Sequence, residues 1–372
     1  MRILLLSDLA SEHTEKWAIG LANQGIKVGL FSFNKSRYNW FNQSSNIELL
    51  FESEDTLNGQ SLKEKVSYFK YLPILKQKIK EFKPDVLHAH YATSYGFLGA
   101  LSRFKPFVVS VWGSDVYDFP QQNYVYKRIL KYVLNKATVI CSTSHCMKQE
   151  ALLYTNKPIT VIPFGIDIDL FKRPVDKVVL SNLEEINIGN IKAIETKYGV
   201  LILIQAFNAV LKHFPLKNIK LYIIGDGSEK ENCLKLVSDF GIENKVIFTG
   251  RIAHSEIAQW HQKLDIFVSL SILDSESFGV SLVEAMSSGS CVIASNVDGF
   301  KEVLGNNNEC GTLVEKNSVE DAAKAIIDAI SNPKNSVLKG SKARERAVAF
   351  YNRQNNIKQM IDVYNQVTII EK

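Results

Sequence analysis

Short apolar runs alternate with helical patterns along most of this chain, and that alternation restricts its fold more than any other feature. RILLLS (2–7) reads as a strand, and HTEKWAIGLANQG (13–25) is amphipathic with Gly25 as a stop. KVGLFSF (27–33), DVLHAH (85–90), FVVSVW (107–112), TVICST (138–143) and ITVIPFG (159–165) continue the strands. Continuous apolar strands joined by helices predict a parallel, doubly wound α/β sheet covered on both faces.

The segment DIDLFKRPVDKVVLSNLEE (167–185) is polar, contains Pro174 and breaks the pattern. A second series follows: INIGNI (186–191), IKLYIIGDG (219–227), KVIFTG (245–250), DIFVSL (265–270), CVIAS (291–295) and GTLVE (311–315), with helices over 200–214 and 319–330. Residues 344–367 read as one long or kinked helix with no strand after it. The expected organisation is a Rossmann-like domain over 1–166, a linker over 167–185, a second such domain over 186–345 and a closing helix over 346–372 that crosses back to the first domain. Two such halves facing a cleft place their ligands at the carboxyl ends of the strands, where helix N-termini point free N–H groups outward.

Composition fits this reading. Hydrophobic residues at 46% and charged residues at 22% describe a globular chain. No apolar run approaches the ~20 residues that span a bilayer, and the N-terminus reads as a buried strand, so a cytoplasmic protein is expected. The five scattered cysteines match no common metal or redox spacing and read as free thiols. Charge is uneven: residues 1–165 hold 20 Lys and Arg against 13 Asp and Glu, whereas the remainder holds 24 against 26. The excess lies in 61–84 and 126–136, where lysines interleave with Tyr, Phe and Leu. These are either two solvated surface helices or a cationic, aromatic face for anionic lipid at the inner side of a membrane. No nucleic-acid signature accompanies the charge, so no nucleic-acid partner is expected.

The stretch LDSESFGVSLVEAMSSGSCVIAS (273–295) carries the chemistry. A helix is predicted from about Phe278 to Ser288, with Ser275 or Ser277 as N-cap and Gly289 as stop. The N–H groups of Phe278, Gly279 and Val280 then form an anion site, flanked by Glu276 ahead and by Glu284 about 10 Å further on. Two carboxylates bracketing a phosphate site suit a ligand with diol, diphosphate and diol in a row, as in a nucleotide sugar.

The same residues resemble the Glu-x7-Glu signature of the family-4 retaining glycosyltransferases, which have the GT-B fold. The Phe-Gly, the Glu-Ala-Met and the following Val-Ile-Ala-Ser fall in register, and VIPFGIDIDLF, KVIFTGRI and DIFVSLSILDSESFG extend the likeness over most of the chain. The resemblance implies that Glu276 holds hydroxyls of the donor sugar and Glu284 the ribose diol. It also implies that the amides of Phe278, Gly279 and Val280 serve sugar and diphosphate, and that the backbone at Arg251 and Ile252 meets the base. Where the family usually has Arg and, five residues on, Lys at the diphosphate, NIKAIETKYG supplies Lys192 and Lys197. Both lysines keep the charge, but Lys192 lacks the guanidinium fork.

The N-terminal half departs further. Trp112, in VSVWGSDVY, stands where the family often has a cleft His; this Trp-Gly-Ser-Asp variant resembles members of bacterial surface-polysaccharide assembly. Asp115, His90, Trp112 and His13 are the acceptor-side candidates, and His88 reads as structural. Asp167-Ile168-Asp169 has the spacing of a metal-binding Asp-x-Asp but lies in the linker, and Gly225-Asp226-Gly227 is only part of a dinucleotide fingerprint.

The resemblance implies a metal-independent, cofactor-free hexosyltransferase. It would carry a sugar from a nucleotide sugar, a UDP-sugar above others, to a glycan or lipid-linked saccharide, with retention of configuration. A nucleotide-sugar epimerase and a catalytically silent nucleotide-sugar-binding subunit remain as alternatives.

Overall fold

The computed structural model describes residues 1–36, 38–53, 68–172, 184–305 and 307–370. The chain forms two compact units, Met1–Phe164 with Gln354–Lys372, and Gly165–Arg353.

The first unit is built on a parallel sheet of seven strands: β1 (Arg2–Leu6), β2 (Lys27–Ser32), β3 (Ile47–Glu52), β4 (Val86–His90), β5 (Phe107–Val111), β6 (Val139–Ser142) and β7 (Ile159–Val161). Their spatial order is β3-β2-β1-β4-β5-β6-β7. The central strands are buried on both faces, which is why they read as unbroken apolar runs. Strand β3 escapes that signal. At the sheet edge, IELLFE is only partly covered and carries a glutamate at each end of its apolar stretch. The reversal of strand order around β1 and β4 creates the crevice where such sheets bind ligands.

The closing helix, Arg353–Ile370, belongs to this unit from Gln354 on. Ile357, Met360, Val363, Tyr364 and Val367 share one face at helical spacing and are buried in a cluster with Ile3, Leu5, Trp17 and Leu21. Burial of each such side chain contributes about 1.5–3 kcal/mol. The Tyr364 hydroxyl lies 2.6 Å from His88 Nδ1, and Ser110 Oγ lies 2.8 Å from His88 Nε2. Burial therefore leaves His88 fully satisfied as a bond between the β4–β5 pair and the helix.

The second unit has a six-stranded parallel sheet: β8 (Ile186–Ile191), β9 (Ile219–Ile224), β10 (Val246–Gly250), β11 (Ile266–Ser269), β12 (Cys291–Ser295) and β13 (Thr312–Val314), in the order β10-β9-β8-β11-β12-β13. Its core runs from Ile188, Ile204 and Phe207 through Val268 and Ile293 to Ile326. Two Rossmann-like parallel-sheet units agree with the expected GT-B architecture.

The expected boundaries shift at both ends of this unit. The tail is two helices, Pro333–Phe350 and Arg353–Ile370, not one. The break arises because Tyr351 and Arg353 give their backbone groups to Ile166: Ile166 N donates to Tyr351 O and Arg353 N donates to Ile166 O. Residues 346–353 thus stay with the second unit. So do 167–172 of the expected linker. Asp167 pairs with Arg353 at 2.9 Å, and Phe171 O accepts from Ser287 Oγ at 2.6 Å and from Arg344 at 3.1 Å. Residues 173–183 of that linker lie outside the described residues.

Candidate active site

Strand β8 ends at Ile191, and the next residues turn across the top of the sheet. Lys192 N donates to Ile224 O, Ile194 N to Asp226 O, and Glu229 N to Ile194 O. These bonds clamp the 192–198 loop onto Gly225-Asp226-Gly227. Gly225 has φ +147, and a Cβ there would lie 2.0 Å from Lys192 O. The Gly-Asp-Gly stretch is thus a seat for the lysine loop, which explains its glycines without a dinucleotide. Glu195 accepts from Ser228 N and Oγ on the same seat.

The loop after β11 is pinned to it from the other side, where Ile272 N donates to Lys197 O at 2.9 Å. Glu276 then reaches Lys192, with Nζ 2.8 Å from Oε2, and both side chains are largely covered. Lys192 sits over the Tyr198 ring at 4.6 Å from its centroid and Lys197 at 5.0 Å. Burial works against the Lys192 charge, but Glu276, Tyr198 and Glu284 outweigh it and raise its pKa. Lys192 therefore stays protonated throughout the physiological range. Lys197, Tyr198, Leu273, Ser275 and Glu276 line a small pocket beside this pair.

The helix bearing Glu284 spans Val280–Ser287, shorter than expected. Gly279 caps it, at φ +77, with no side-chain cap from Ser275 or Ser277. The first-turn N–H groups of Val280, Ser281 and Leu282 have no intrahelical acceptor, as at any helix start. The helix begins only at Val280, so Glu284 lies little more than one turn inside it. Residues 276–279 are not helical, whereas the expected separation of about 10 Å between Glu276 and Glu284 assumes helical rise throughout. The approach of the next helix, Asp298–Leu304, holds the 276–278 backbone in place: a Cβ at Gly299 would meet Glu276 O at 2.3 Å. Phe278 is buried and packs edge-on against Tyr351. Its side chain is core, and only its backbone remains for a ligand.

Glu284 is 4% exposed. Its carboxylate lies 3.3 Å from His261 Nε2 in a fully buried ring that is not aligned for a hydrogen bond. We read this as an electrostatic contact and not as a made hydrogen bond. Arg251 and Ile252 follow β10; Arg251 is exposed, and Gly225 N donates to Gly250 O just before it. The structure thus gathers Lys192, Lys197 and Glu276 around Tyr198, sets Glu284 within electrostatic reach of Lys192, and leaves Arg251 and Ile252 at the end of β10. Asp167 of the Asp-x-Asp caps Asp169 N and Leu170 N besides pairing with Arg353, a structural use of the carboxylate. Sequence reasoning missed Tyr198 and His261. Tyr198 adjoins Lys197 and was within reach of the spacing argument, whereas nothing local marks His261.

In the first unit, a cavity of about 780 Å³ opens at the carboxyl ends of β1, β2, β4 and β5. His90 and Trp112 line it, with ring centroids 4.6 Å apart. His90 Nδ1 shares a hydrogen bond with Ser7 Oγ, which also contacts Thr14. Burial first, then the neighbouring His88 and His13, pushes the His90 pKa well below its ordinary value, so the ring is neutral. His13 stacks on Phe164 at 4.1 Å and meets Trp112 edge-on. Asp115 corrects the expectation of an acceptor-side contact: it is fully buried and does not line the cavity. Its carboxylate accepts from the backbone N–H of Ala92, Trp112 and Gly113, bracing the loops after β4 and β5. Burial raises its pKa while those three bonds oppose the rise.

The basic helix Tyr124–Lys136 leaves Tyr124 70% and Val125 52% exposed beside its lysines. The other basic segment is described only from residue 68, where Phe69 is exposed; 61–67 lie outside the described residues. Among the described residues no helix is long and apolar enough to cross a membrane, and no cluster of His, Cys, Asp and Glu suits a metal ion.

Residues 172–347 match the family model for Glycosyl transferases group 1, and residues 2–144 that for Glycosyl transferase 4-like proteins. N-acetyl-alpha-D-glucosaminyl L-malate synthase of Bacillus anthracis is 27% identical over 76% of this chain and 75% of its own. Phosphatidyl-myo-inositol mannosyltransferase of Mycobacterium tuberculosis is 26% identical over 76% and 73%. Among solved structures, sucrose-phosphate synthase of Thermosynechococcus elongatus superposes with a TM-score of 0.80 at 20% identity over the whole of both chains. HepE of Anabaena, in complex with UDP, gives 0.80 at 20% identity over 98% of this chain and 100% of its own.

Proposed function

We propose a reaction for this chain, which is a glycosyltransferase with a 4-like domain over 2–144 ahead of a group 1 domain over 172–347. It moves a sugar from a nucleotide-sugar donor, a UDP-sugar above others, to a glycan or lipid-linked saccharide in polysaccharide assembly, with retention and without a metal ion. The observation that carries this reading is the convergence of Lys192, Lys197 and Glu276 around Tyr198.

Each residue has a role that its setting suits. Lys192 and Lys197 offset the charge that develops on the departing diphosphate, the electrostatic demand of glycosyl transfer. Glu276 holds donor-sugar hydroxyls while steadying Lys192. Glu284 accepts from the ribose diol, the amides of Phe278, Gly279 and Val280 face the diphosphate and sugar, and the backbone at Arg251 and Ile252 meets the base. In the transfer the bond between the anomeric carbon and the diphosphate oxygen breaks, and the acceptor oxygen bonds to that carbon on the same face. The acceptor proton passes to the leaving diphosphate, so no enzymic nucleophile is used. His90, Trp112 and His13 form the acceptor side, and Asp115 supports it from beneath.

We place the enzyme in the cytoplasm, in peripheral contact with the inner membrane face. The pairing of exposed Tyr124 and Val125 with Lys127, Arg128 and Lys131 supports this, because an amphipathic face gains from apolar insertion and anionic headgroups together. Known nucleotide complexes of HepE, with UDP and with UDP-glucose, favour a uridine donor.

Thermal stabilisation by a panel of nucleotides and nucleotide sugars tests the donor reading. Ligand at 100 times its Kd adds about 2.7 kcal/mol. One nucleotide diphosphate is expected to stabilise the wild type and, at the same concentration, to stabilise Glu284→Ala by no more than about 1.4 kcal/mol. A panel with no stabilising member overturns the donor site.

A further inference from the structure

The cavity of the first unit differs from the lysine site in having no cation among its described lining residues. Among the described residues that line it there is no lysine and no arginine, and His90 is neutral. Two carboxylates face it. Asp8 accepts from Ala10 N at 2.9 Å and from Asn34 Nδ2 at 3.0 Å, and these two bonds orient it. Asp118 is exposed and makes no side-chain hydrogen bond or ion pair among the described residues.

The walls suit hydroxyls. Asn34 and Gln122 bring amides, and Trp112 and Tyr91 bring ring faces. Tyr91 holds φ +80, a conformation that few non-glycine residues adopt. Its backbone carbonyl accepts from Gly96 N at 3.0 Å and its hydroxyl meets Ser114 Oγ, so the ring is fixed at the cavity wall.

One feature opposes a negative cavity. The helices Glu12–Asn23 and Tyr95–Ser102 start at this end of the sheet, and each start is worth roughly half a positive charge. Glu12 and Glu15 occupy the first turn of the former, and the Gly96 N–H of the latter is already taken. The two carboxylates outweigh what remains.

We propose that this cavity takes the uncharged, polyhydroxylated end of a saccharide acceptor and turns away acceptors that carry a phosphate or carboxylate at that end. The proposal rests on the sugar-transfer reading and names its acceptor class.

The test uses the full chain at fixed ionic strength, with UDP-glucose, UDP-galactose and UDP-N-acetylglucosamine as donors. Acceptors are p-nitrophenyl glucoside, galactoside and N-acetylglucosaminide against the p-nitrophenyl glucuronide and glucose 6-phosphate. A neutral glycoside is expected to show at least tenfold higher kcat/KM than the glucuronide, with the ratio narrowed at least threefold in Asp118→Asn. The same neutral glycoside is expected to shift tryptophan fluorescence saturably, and less so in Trp112→Phe. Equal or better use of the anionic acceptors overturns the proposal. So does the absence of both transfer and binding with all acceptors while nucleotide still stabilises the protein, a result that leaves the donor site standing. Loss of nucleotide stabilisation as well overturns the donor reading along with this one.

Discussion

The two candidate sites solve opposite problems. In the second unit the 192–198 loop is held between the Gly225–Gly227 seat and the loop after β11, and its cations are already paired with a carboxylate and a tyrosine ring. In the first unit a wide cavity is walled by hydroxyls, amides and rings, with no cation among its described lining residues. A preformed charged site binds a diphosphate at little reorganisation cost, because its dipoles and charges are oriented before the ligand arrives. A roomy site with two carboxylates and no cation relies instead on shape, hydrogen bonds and the exclusion of anions. The contrast predicts that charge mutations are severe in one unit and modest in the other.

The sharpest break is expected at Lys192. Lys192→Ala removes the cation nearest Glu276 and is expected to lower kcat by about 10²–10³-fold in steady-state assays, with the circular-dichroism spectrum unchanged. A loss below tenfold would remove Lys192 from the chemistry. Gly225→Ala asks whether the seat matters as much as the lysine. Its Cβ would press on Lys192 O, so a cost of about 2–3 kcal/mol and a melting temperature lower by several degrees are expected, together with weaker nucleotide binding. Glu284→Ala comes next: losing hydrogen bonds from a charged acceptor is worth about 1.5–3 kcal/mol, or roughly ten- to a hundredfold in nucleotide affinity by calorimetry.

The first unit's weakness is pH. Burial lowers the pKa of His88 to about 3, while the unfolded chain titrates near 6.5. Between those values the unfolded state binds a proton that the folded state refuses. The contribution is therefore whole above pH 6.5 and is lost as pH falls toward 3. By pH 5 about 2 kcal/mol should be gone, and urea midpoints measured from pH 7.5 to 4.5 should fall less steeply in His88→Gln. The smallest effect belongs to the basic helix. Lys127→Ala is expected to weaken sedimentation with phosphatidylserine vesicles by about fivefold, at about 1 kcal/mol per lysine. Transfer to a soluble acceptor should barely change.

Much of this was legible in the linear chain because it depends on local pattern. Near-continuous apolar strands announce a parallel sheet wherever both faces are covered, as for β1 and β5. Glu276, Glu284, Lys192 and Lys197 stand at fixed spacings near strand ends, so their neighbourhood followed from the sheet. Strand β3 was hidden because a half-covered edge carries no continuous run.

What the chain alone determined, then, was the pair of parallel sheets and the set of carboxylates and lysines at their strand ends. Only the tertiary structure decided how those groups are spent. It turned Asp115 from an expected ligand contact into a buried brace for three backbone N–H groups, and placed His261 beside Glu284 from a helix distant in sequence. It also made Gly225 and Gly299 the points where one loop rests on another. Periodicity reports which face of an element is covered. It carries no record of which distant backbone or side chain covers it, and buried polar groups take their roles from those partners.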